Sequence, residues 1–355
     1  MFYFFTSPKH RLLAVSLGLL PLMFVAGCGL ISADPAIDVA IVNSPKLKIR
    51  STNATVAVDL AEVKQGDRLD ILEQAQVKTP TGPSEWYKVR TKDKNEVIGW
   101  VKANELITKA VVDKIEDLYE KSKEIPSQAQ GRLKVQARLR IEPGGDVATL
   151  LKKNTAVEIV GKVRTTSKPD KQQNSEDSDE TTEEPEARTV LWYQIRRPDS
   201  EVLRAGWIGA QQIQLDVPDE ILHLEGEGRR FTGWVVFDQT KSKKGELKNN
   251  YIGLMKSLET EGPIDFTRIW FLVYSPTEGR YTSPFLDNGL RGVLPVTPGI
   301  KSGARGFTIH ELDADGKSVP IEYSAVRTDA SHLSVKRLSP RIEVKKVPKK
   351  KKKGK

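Results

Sequence analysis

The sequence predicts a mainly β protein in which two related β domains stand in tandem, joined by a helix and followed by a third mainly β domain. Two observations carry this prediction. Four short strand-like motifs occur twice in the same order, once within residues 38–108 and once within residues 132–216. Residues 217–343 then show further apolar runs separated by turn signals. A chain of 355 residues is long enough for three domains of this size.

The motif with the clearest signature is a tryptophan–tyrosine strand followed by a glycine–tryptophan strand. It reads WYKVR and then GWV in the first copy, and WYQIR and then GWI in the second. An opening strand and a middle strand precede it in both copies. The four predicted strands lie at 47–51, 63–72, 86–90 and 99–101 in the first copy, and at 139–143, 151–160, 192–196 and 206–208 in the second. A repeat of this size indicates one small supersecondary unit used twice.

The order of these motifs resembles that of the bacterial SH3 domain family, over nearly half of the chain. The resemblance implies two tandem SH3-like barrels joined by a helix and followed by a third mainly β domain of unrecognised family. It also implies that each barrel has a groove for a ligand. The chain departs from the family in the loops that border this groove. It reads TNA at 52–54 and EPGG at 142–145, and it has Asn154 where a glycine is usual before the middle strand.

Period-two alternation in the aromatic strands predicts which side chains face the two cores. The inward-facing set is Tyr87, Val89, Val101, Tyr193, Ile195 and Ile208. The tryptophans lie on the opposite face, at Trp86, Trp100, Trp192 and Trp207. Of these, Trp86 and Trp192 share their face with polar residues, and we expect them to be partly exposed.

Residues 109–131 form a predicted helical linker between the modules. Apolar residues recur at helical spacing through 109–128, and Pro126 ends the pattern. Inside the second module, residues 165–189 lack large apolar side chains, so this stretch predicts a disordered acidic insertion. The alternative, that its carboxylates bind a metal, has no ligand geometry in its favour.

The third region, 217–343, reads as strands with turn signals between them. The predicted strands are 231–237, 268–274, 280–282, 290–296, 306–310 and 318–323, with a hairpin turn at 313–316 and a helix at 250–259. Residues 344–355 form a lysine-rich tail for which we predict disorder. This tail either binds an anionic envelope polymer or serves solubility alone. Without the lysines of this tail and without Lys9 and Arg11 near the N-terminus, the net charge of +9 falls close to zero.

The N-terminus predicts a lipoprotein signal peptide over residues 1–27. Lys9 and Arg11 precede an apolar run too short to span a bilayer comfortably, and the sequence VAGC then ends at Cys28. This stretch resembles the lipobox of bacterial lipoproteins, which implies that Cys28 carries acyl chains such as palmitate and anchors the protein to a membrane. Gly29, in place of aspartate, favours the outer membrane, facing the periplasm. The alternatives are an ordinary secretory signal with an incidental cysteine and an uncleaved anchor.

Residues needed for several kinds of catalysis are missing. Cys28 is the only cysteine, which excludes an internal disulfide and leaves no second thiol as a nucleophile. The chain contains no G-x-S-x-G elbow and no H-E-x-x-H motif, and only His223, His310 and His332 follow the signal peptide. We therefore expect no enzyme activity, no catalytic residue, no metal and no cofactor. A carboxylate pair for glycoside cleavage stays open, since Asp and Glu are plentiful.

A binding function in the cell envelope remains. In SH3-like barrels, aromatic side chains offer flat apolar area to extended peptides or glycans, beside polar groups. The candidate ligand-binding residues are Trp86, Lys88, Arg90, Trp100, Trp192, Arg196 and Trp207. Their cations suit the carboxylates of a wall peptide. The alternative is that the tryptophans only cover the barrel cores.

The expected partners are peptidoglycan or an envelope protein, together with the membrane through Cys28. Nucleic acid is not an expected partner after export. Two other functions stay open. One is a cell-wall hydrolase or amidase whose third domain is catalytic, and the other is a structural scaffold or assembly factor of the envelope.

Overall fold

The computed structural model describes residues 35–54, 56–79, 82–92, 95–167, 188–226, 228–260, 262–328 and 333–342. These residues form three seven-stranded antiparallel sheets and two α-helices. The predicted mainly β class is confirmed. Predictions for the signal peptide, Cys28, residues 168–187, His332 and the lysine-rich tail fall outside the described residues. No helix in the described part of the chain is long and apolar enough to cross a membrane.

The first sheet belongs to the first module. Its strands are β1 (Asp38–Val42), β2 (Lys46–Arg50), β3 (Asp59–Lys64), β4 (Arg68–Thr79), β5 (Gly82–Thr91), β6 (Ile98–Lys102) and β7 (Leu106–Thr108). Their order is β3-β2-β6-β5-β4-β1-β7, and β1 pairs with both β4 and β7. Alternate residues such as Leu47, Ile49 and Val89 point into a core that belongs to this module alone.

The second sheet repeats the first in strand order, as the tandem prediction requires. Its strands are β8 (Ala129–Leu133), β9 (Ala137–Arg140), β10 (Val147–Leu151), β11 (Ala156–Ser167), β12 (Arg188–Arg196), β13 (Ala205–Gly209) and β14 (Ile213–Leu215). Their order is β10-β9-β13-β12-β11-β8-β14, which matches the first sheet position by position.

The structure corrects one register within the repeat. Trp100 lies opposite Arg50, and Trp207 lies opposite Arg140, so these two pairs are equivalent. The opening strand of the second copy is therefore β9, which starts two residues before the predicted 139–143. The last four residues of β2 and the four of β9 share one pattern: buried, exposed, buried, half-buried.

The buried faces follow the predicted alternation, with Trp86 as the exception. Val89, Val101, Ile195 and Ile208 are fully buried, Tyr193 is nearly so, and Tyr87 is half-buried. Trp192 is half-buried, as expected. Trp86 is only 5% exposed, so its expected partial exposure is wrong. The cause is the long side chains of β2 and β6 around it, with Lys102 Nζ 5.8 Å from the ring centroid.

Helix α1 (Lys109–Ser122) connects the modules and ends six residues before the predicted limit at 128. Its apolar side packs on the second module, where Ile115 is fully buried. Beyond the helix end, the Arg196 guanidinium donates to the carbonyls of Ser122 (2.9 Å), Lys123 (3.0 Å) and Ile125 (2.9 Å). The last carbonyls of a helix lack partners within it, so Arg196 satisfies the end of α1.

Strands β11 and β12 reach further into the acidic insertion than predicted. Thr165, Thr166 and Ser167 pair with Val190, Thr189 and Arg188. The predicted loop at 165–189 is therefore wrong at both of its ends. Backbone pairing with a neighbouring strand orders these polar residues without any apolar side chain of their own.

The third sheet is an up-and-down meander preceded by a short helix, α2 (Asp219–Leu222). Its strands are β15 (Arg229–Lys241), β16 (Leu247–Ser257), β17 (Phe266–Ser275), β18 (Arg280–Lys301), β19 (Ala304–Leu312), β20 (Ser318–Arg327) and β21 (Leu333–Arg337). The predicted helix at 250–259 is wrong, because this stretch pairs with β15 and β17 as strand β16. One face of β16 enters the core of the third sheet and the other faces the second module. With both faces buried, the strand loses the alternation that would identify it.

The apolar core of the second module continues into the third domain. Ile208, Ile221, Phe231 and Met255 belong to one cluster of buried side chains that crosses the predicted boundary at 216/217. A buried polar residue, Gln128, adds hydrogen bonds across the same boundary. Its side chain accepts from Val296 N (2.7 Å) and donates to Val296 O (3.0 Å), while its backbone carbonyl accepts from Trp234 N (2.7 Å).

Candidate functional site

The outer face of the first module gathers basic and aromatic side chains from three adjacent strands. Directly opposed residues in antiparallel strands lie on one face of a sheet. Trp100 is opposite both Arg50 and Lys88, and Trp86 is opposite Lys102. Lys46 and Lys48 lie at alternate positions before Arg50 on β2, so the three side chains share one face of the strand. We call this surface the module 1 outer face; it comprises Lys46, Lys48, Arg50, Trp86, Lys88, Trp100 and Lys102.

At its centre lies a small cleft of about 160 Å³. Trp86 lies in this cleft with Val101, and Glu105 is the acidic residue in the lining. The cations that border it are Lys46, Lys48, Arg50 and Lys102. The cleft therefore places a nearly buried aromatic ring beside several cationic donors.

Two of these cations have acidic partners and two do not. Lys46 pairs with Glu62 at 3.1 Å and Lys48 pairs with Asp59 at 2.6 Å, which raises the pKa of Lys48. Among the described residues, neither Arg50 nor Lys102 has a carboxylate within salt-bridge distance. Their charges remain available to an anionic ligand.

Lys88 and Arg90 lie further along β5, with acidic neighbours of their own. Lys88 is 3.7 Å from Glu73, and Arg90 is 3.2 Å from Asp70. Lys92 also pairs with Asp70, and Lys92 and Arg90 together lower the pKa of the Asp70 carboxyl group. Arg90 therefore belongs to an ion-pair cluster beside the cleft rather than to its lining. Trp100, which is half-buried, remains between the two groups.

The second module does not reproduce this surface. Trp192 is the equivalent of Trp86, but the residue opposite it is Gly209, whereas the residue opposite Trp86 is Lys102. Its indole Nε1 donates to Thr165 Oγ1 at 3.0 Å, and the Arg140 guanidinium lies 5.8 Å from its ring. The pair of unmatched cations found in the first module is thus reduced here to one arginine beside the ring.

The other two candidates of the second module contact the linker helix. Arg196 binds Glu158 through two nitrogens, at 2.8 and 3.1 Å, besides the carbonyls at the end of α1. Trp207 lines a cleft of about 310 Å³ whose opposite wall includes Leu118 and Lys121 of α1. The structure therefore places Trp86 and Trp100 on the same face of the first module, with Trp86 nearly buried and Trp100 half-buried, and it engages Arg196 in stabilising the linker.

The described residues offer no arrangement of three or more His, Cys, Asp or Glu side chains that suits a metal ion. His310 Nδ1 lies 3.2 Å from the Pro295 carbonyl, and His223 is exposed at the end of α2. These two histidines have separate surroundings.

Sequence reasoning identified the tryptophans but missed the cations that surround Trp86. Lys46, Lys48, Arg50 and Lys102 come from β2 and β6 rather than from the tryptophan–tyrosine strand. A signal was available in the alternate basic residues of β2, which read K-L-K-I-R. Basic residues at alternate positions of a strand form one charged stripe.

Comparison with known proteins separates the first module from the rest of the chain. A family model for the GW (Gly-Tryp) dipeptide domain matches residues 39–106, which is nearly all of the first sheet. No curated protein matches the chain.

Two solved structures from Trichomonas vaginalis share low similarity with the chain. The structure of NlpC2 is 11% identical with a TM-score of 0.16, covering 56% of this chain and 53% of that one, so the chain spans about half of its length. The structure of NlpC1 is 10% identical with a TM-score of 0.16, covering 85% of this chain and 92% of that one. At these TM-scores the likeness carries no structural argument. The similarity that bears on the site is therefore that of residues 39–106 to the GW domain.

Proposed function

We propose that this protein is a non-enzymatic binding protein of the cell envelope whose first module binds peptidoglycan through the module 1 outer face. One observation carries the proposal. The region similar to the GW domain, an SH3-like type of cell-wall-binding domain, is the same module that combines an aromatic cleft with two unmatched cations. We also propose that both modules are bacterial SH3 domains, on the motifs and strand order that they share.

The chemistry of the face fits the peptide part of the wall. Wall stem peptides carry carboxylates, and charge-assisted hydrogen bonds from Arg50 and Lys102 suit such groups. A cleft of about 160 Å³ is large enough for a terminal carboxylate or a short side chain. Trp100, beside Arg50, supplies a flat surface for the apolar face of the adjoining residue or sugar.

Pelleting with purified peptidoglycan tests this proposal. A soluble form, residues 29–344, excludes the lipid and all the lysines of the tail. We expect it to pellet with peptidoglycan, and we expect the double variant Arg50→Gln, Lys102→Gln to bind on the order of tenfold more weakly, at about 1.4 kcal/mol per factor of ten. Trp100→Ala removes the stacking surface and is expected to weaken binding to a similar degree.

The matched control is Lys317→Gln with Lys336→Gln, which removes two exposed charges from the third domain. Equal pelleting of this control and of the Arg50, Lys102 variant would contradict the site. Crosslinking to an envelope protein in place of pelleting would favour the scaffold function. Because the proposal contains no catalytic step, we also expect no release of muropeptides during the incubation, and release would favour the hydrolase alternative.

We further propose that Cys28 is acylated and anchors the protein to the outer membrane, facing the periplasm. The support is the lipobox-like sequence that ends at Cys28. We expect labelled palmitate to be incorporated by the full chain and lost in Cys28→Ser, because a hydroxyl replaces the thiol that accepts the lipid. Gly29→Ala, which leaves the thiol in place, is the control. Label retained in Cys28→Ser would contradict the anchor.

A further inference from the structure

A pocket of about 720 Å³ lies between the second module and the third domain. Its walls come from Lys134 and strands β11, β12 and β14 on one side, and from the segments around Leu222, Phe231 and Lys256 on the other. Five cationic side chains and two carboxylates take part in the lining: Lys134, Lys162, Arg164, Arg230 and Lys256, with Asp216 and Glu225. We call this space the interdomain basic pocket.

One carboxylate behind the lining serves two of these cations. Asp265 Oδ1 is 3.1 Å from Lys162 Nζ and 3.0 Å from Arg164 Nη2, and Asp265 Oδ2 accepts from Leu294 N at 3.0 Å. The side chain of Lys162 is only 8% exposed. Two cations, of which Lys162 is nearly inaccessible to water, therefore share one negative charge, which leaves positive charge on this wall.

The cations on the opposite wall lack acidic partners among the described residues. Lys256 Nζ donates to the Ile264 carbonyl at 2.8 Å, and neither Lys256 nor Arg230 has a carboxylate within salt-bridge distance. The two carboxylates of the lining are directed to other partners. Glu225 accepts from Phe231 N at 2.8 Å, and Asp216 pairs with Arg132 at 2.8 Å.

The charges in the pocket are close enough to repel one another. Burial lowers the pKa of Lys256, and the nearby Lys162, Arg164 and Arg230 lower it further. Burial likewise lowers the pKa of Lys162, and Asp265 offsets only part of this effect. A bound anion would relieve the repulsion, because like charges disfavour the protonated lysine and an opposite charge favours it.

We propose that the interdomain basic pocket binds a small organic ligand through two negative charges, carried by a phosphate group or by a pair of carboxylates and held chiefly by Arg230 and Lys256. Arg230 offers a planar fork of donors suited to phosphate or carboxylate oxygens, and Lys256 offers a point charge. The remaining wall is largely apolar, with Leu191, Tyr193 and Phe231, and suits the uncharged body of such a ligand. This site is separate from the module 1 outer face and does not depend on peptidoglycan binding there.

Calorimetric titration of the full chain with pyrophosphate tests the proposal. We expect one saturable site, with acetate binding at least tenfold more weakly because it carries a single charge. The double variant Arg230→Gln, Lys256→Gln is expected to weaken pyrophosphate binding on the order of a hundredfold, about tenfold per cation removed. Titration with succinate distinguishes the source of the charge, since tighter succinate binding indicates a dicarboxylate ligand and tighter pyrophosphate binding a phosphorylated one.

The matched control is Lys317→Gln with Lys336→Gln, which removes the same charge from exposed positions of the third domain that do not line the pocket. The lysine tail is present in every variant, so its contribution cancels. The proposal is overturned if the pocket variant binds pyrophosphate as tightly as the unaltered protein, or if both variants lose affinity equally. It is also overturned if none of the probes binds. Arg230 is exposed, so Arg230→Gln alone keeps the test valid if Lys256→Gln impairs folding.

Discussion

Replacing Arg337 with alanine is expected to lower the free energy of unfolding by about 3–5 kcal/mol, because it leaves the buried Glu311 without its cation and removes one of the two cations beside the buried Asp287. Arg337 Nη2 lies 2.7 Å from Glu311 Oε1, and Nη1 lies 3.5 Å from Asp287 Oδ2. Both carboxylate side chains are almost inaccessible to water, at 6% and 3% exposure. Tyr323 completes the group, with its hydroxyl 2.9 Å from both Asp287 Oδ2 and Arg337 Nη1.

Urea unfolding of residues 29–344, followed by tryptophan fluorescence and circular dichroism, measures this loss. The control is Arg341→Ala, since Arg341 also contacts Asp287 but its side chain is 62% exposed. We expect this control to lose at most about 1 kcal/mol, as exposed ion pairs do. If Arg337→Ala were as stable as the control, the buried network would contribute little.

Replacing Gln128 with alanine is the second large effect, expected at about 3 kcal/mol. The Gln128 side chain is the partner of both the N–H and the carbonyl of Val296, which are buried in the third domain. Each buried polar group left without a partner costs about 1–3 kcal/mol. The substitution also leaves a cavity where the amide stood, which adds to the loss.

Hydrogen exchange at the Val296 amide reports this contact directly, alongside the midpoint of thermal unfolding. We expect faster exchange and a lower midpoint in Gln128→Ala. Gln130→Ala is the matched control, because Gln130 lies two residues further along the chain, on β8, with an exposed side chain. Exchange at Val296 that is equally slow in both variants would show that other contacts hold the boundary.

The repeat made much of the fold predictable, because strand order in a small domain follows from paired motifs. Even a departure from the family pattern proved conservative. Gly66 and Asn154 occupy equivalent turns in the two modules, with φ of 97° and 65°. Asparagine can replace glycine here because it tolerates the left-handed region better than most residues. The aromatic strands also faced as predicted, except at Trp86.

The errors arose where tertiary contacts replaced a local signal. Strand β16 buries Ile252 on one side and Tyr251 on the other, so its apolar residues fit helical spacing as well as they fit a strand. Arg196 was predicted beside a ligand groove because it belongs to the tryptophan–tyrosine strand. Its carbonyl partners come instead from the end of helix α1 and the residues just after it, more than 70 residues away in the sequence. Neither relation is present in a short window of sequence.

The cations of the candidate site show the same limit. Trp86 and Trp100 were identified as single residues in a motif. Arg50 and Lys102 belong to the site only because strand pairing places them opposite these tryptophans. The interdomain basic pocket is more distant still, since its charges come from residues 134 to 256. Only the packing of the second module against the third domain assembles it.

The separate core of the first module has a consequence for how this protein evolves. Leu47, Ile49 and Val101 belong to a buried cluster made of residues from their own module, whereas Ile107, near its end, belongs to the core of the second module. The second module shares its core with the third domain, so each must change in step with the other. Recombination can therefore exchange the first module between proteins where the contact at Ile107 is kept, and so diversify what the chain recognises, while the rest is inherited as one block.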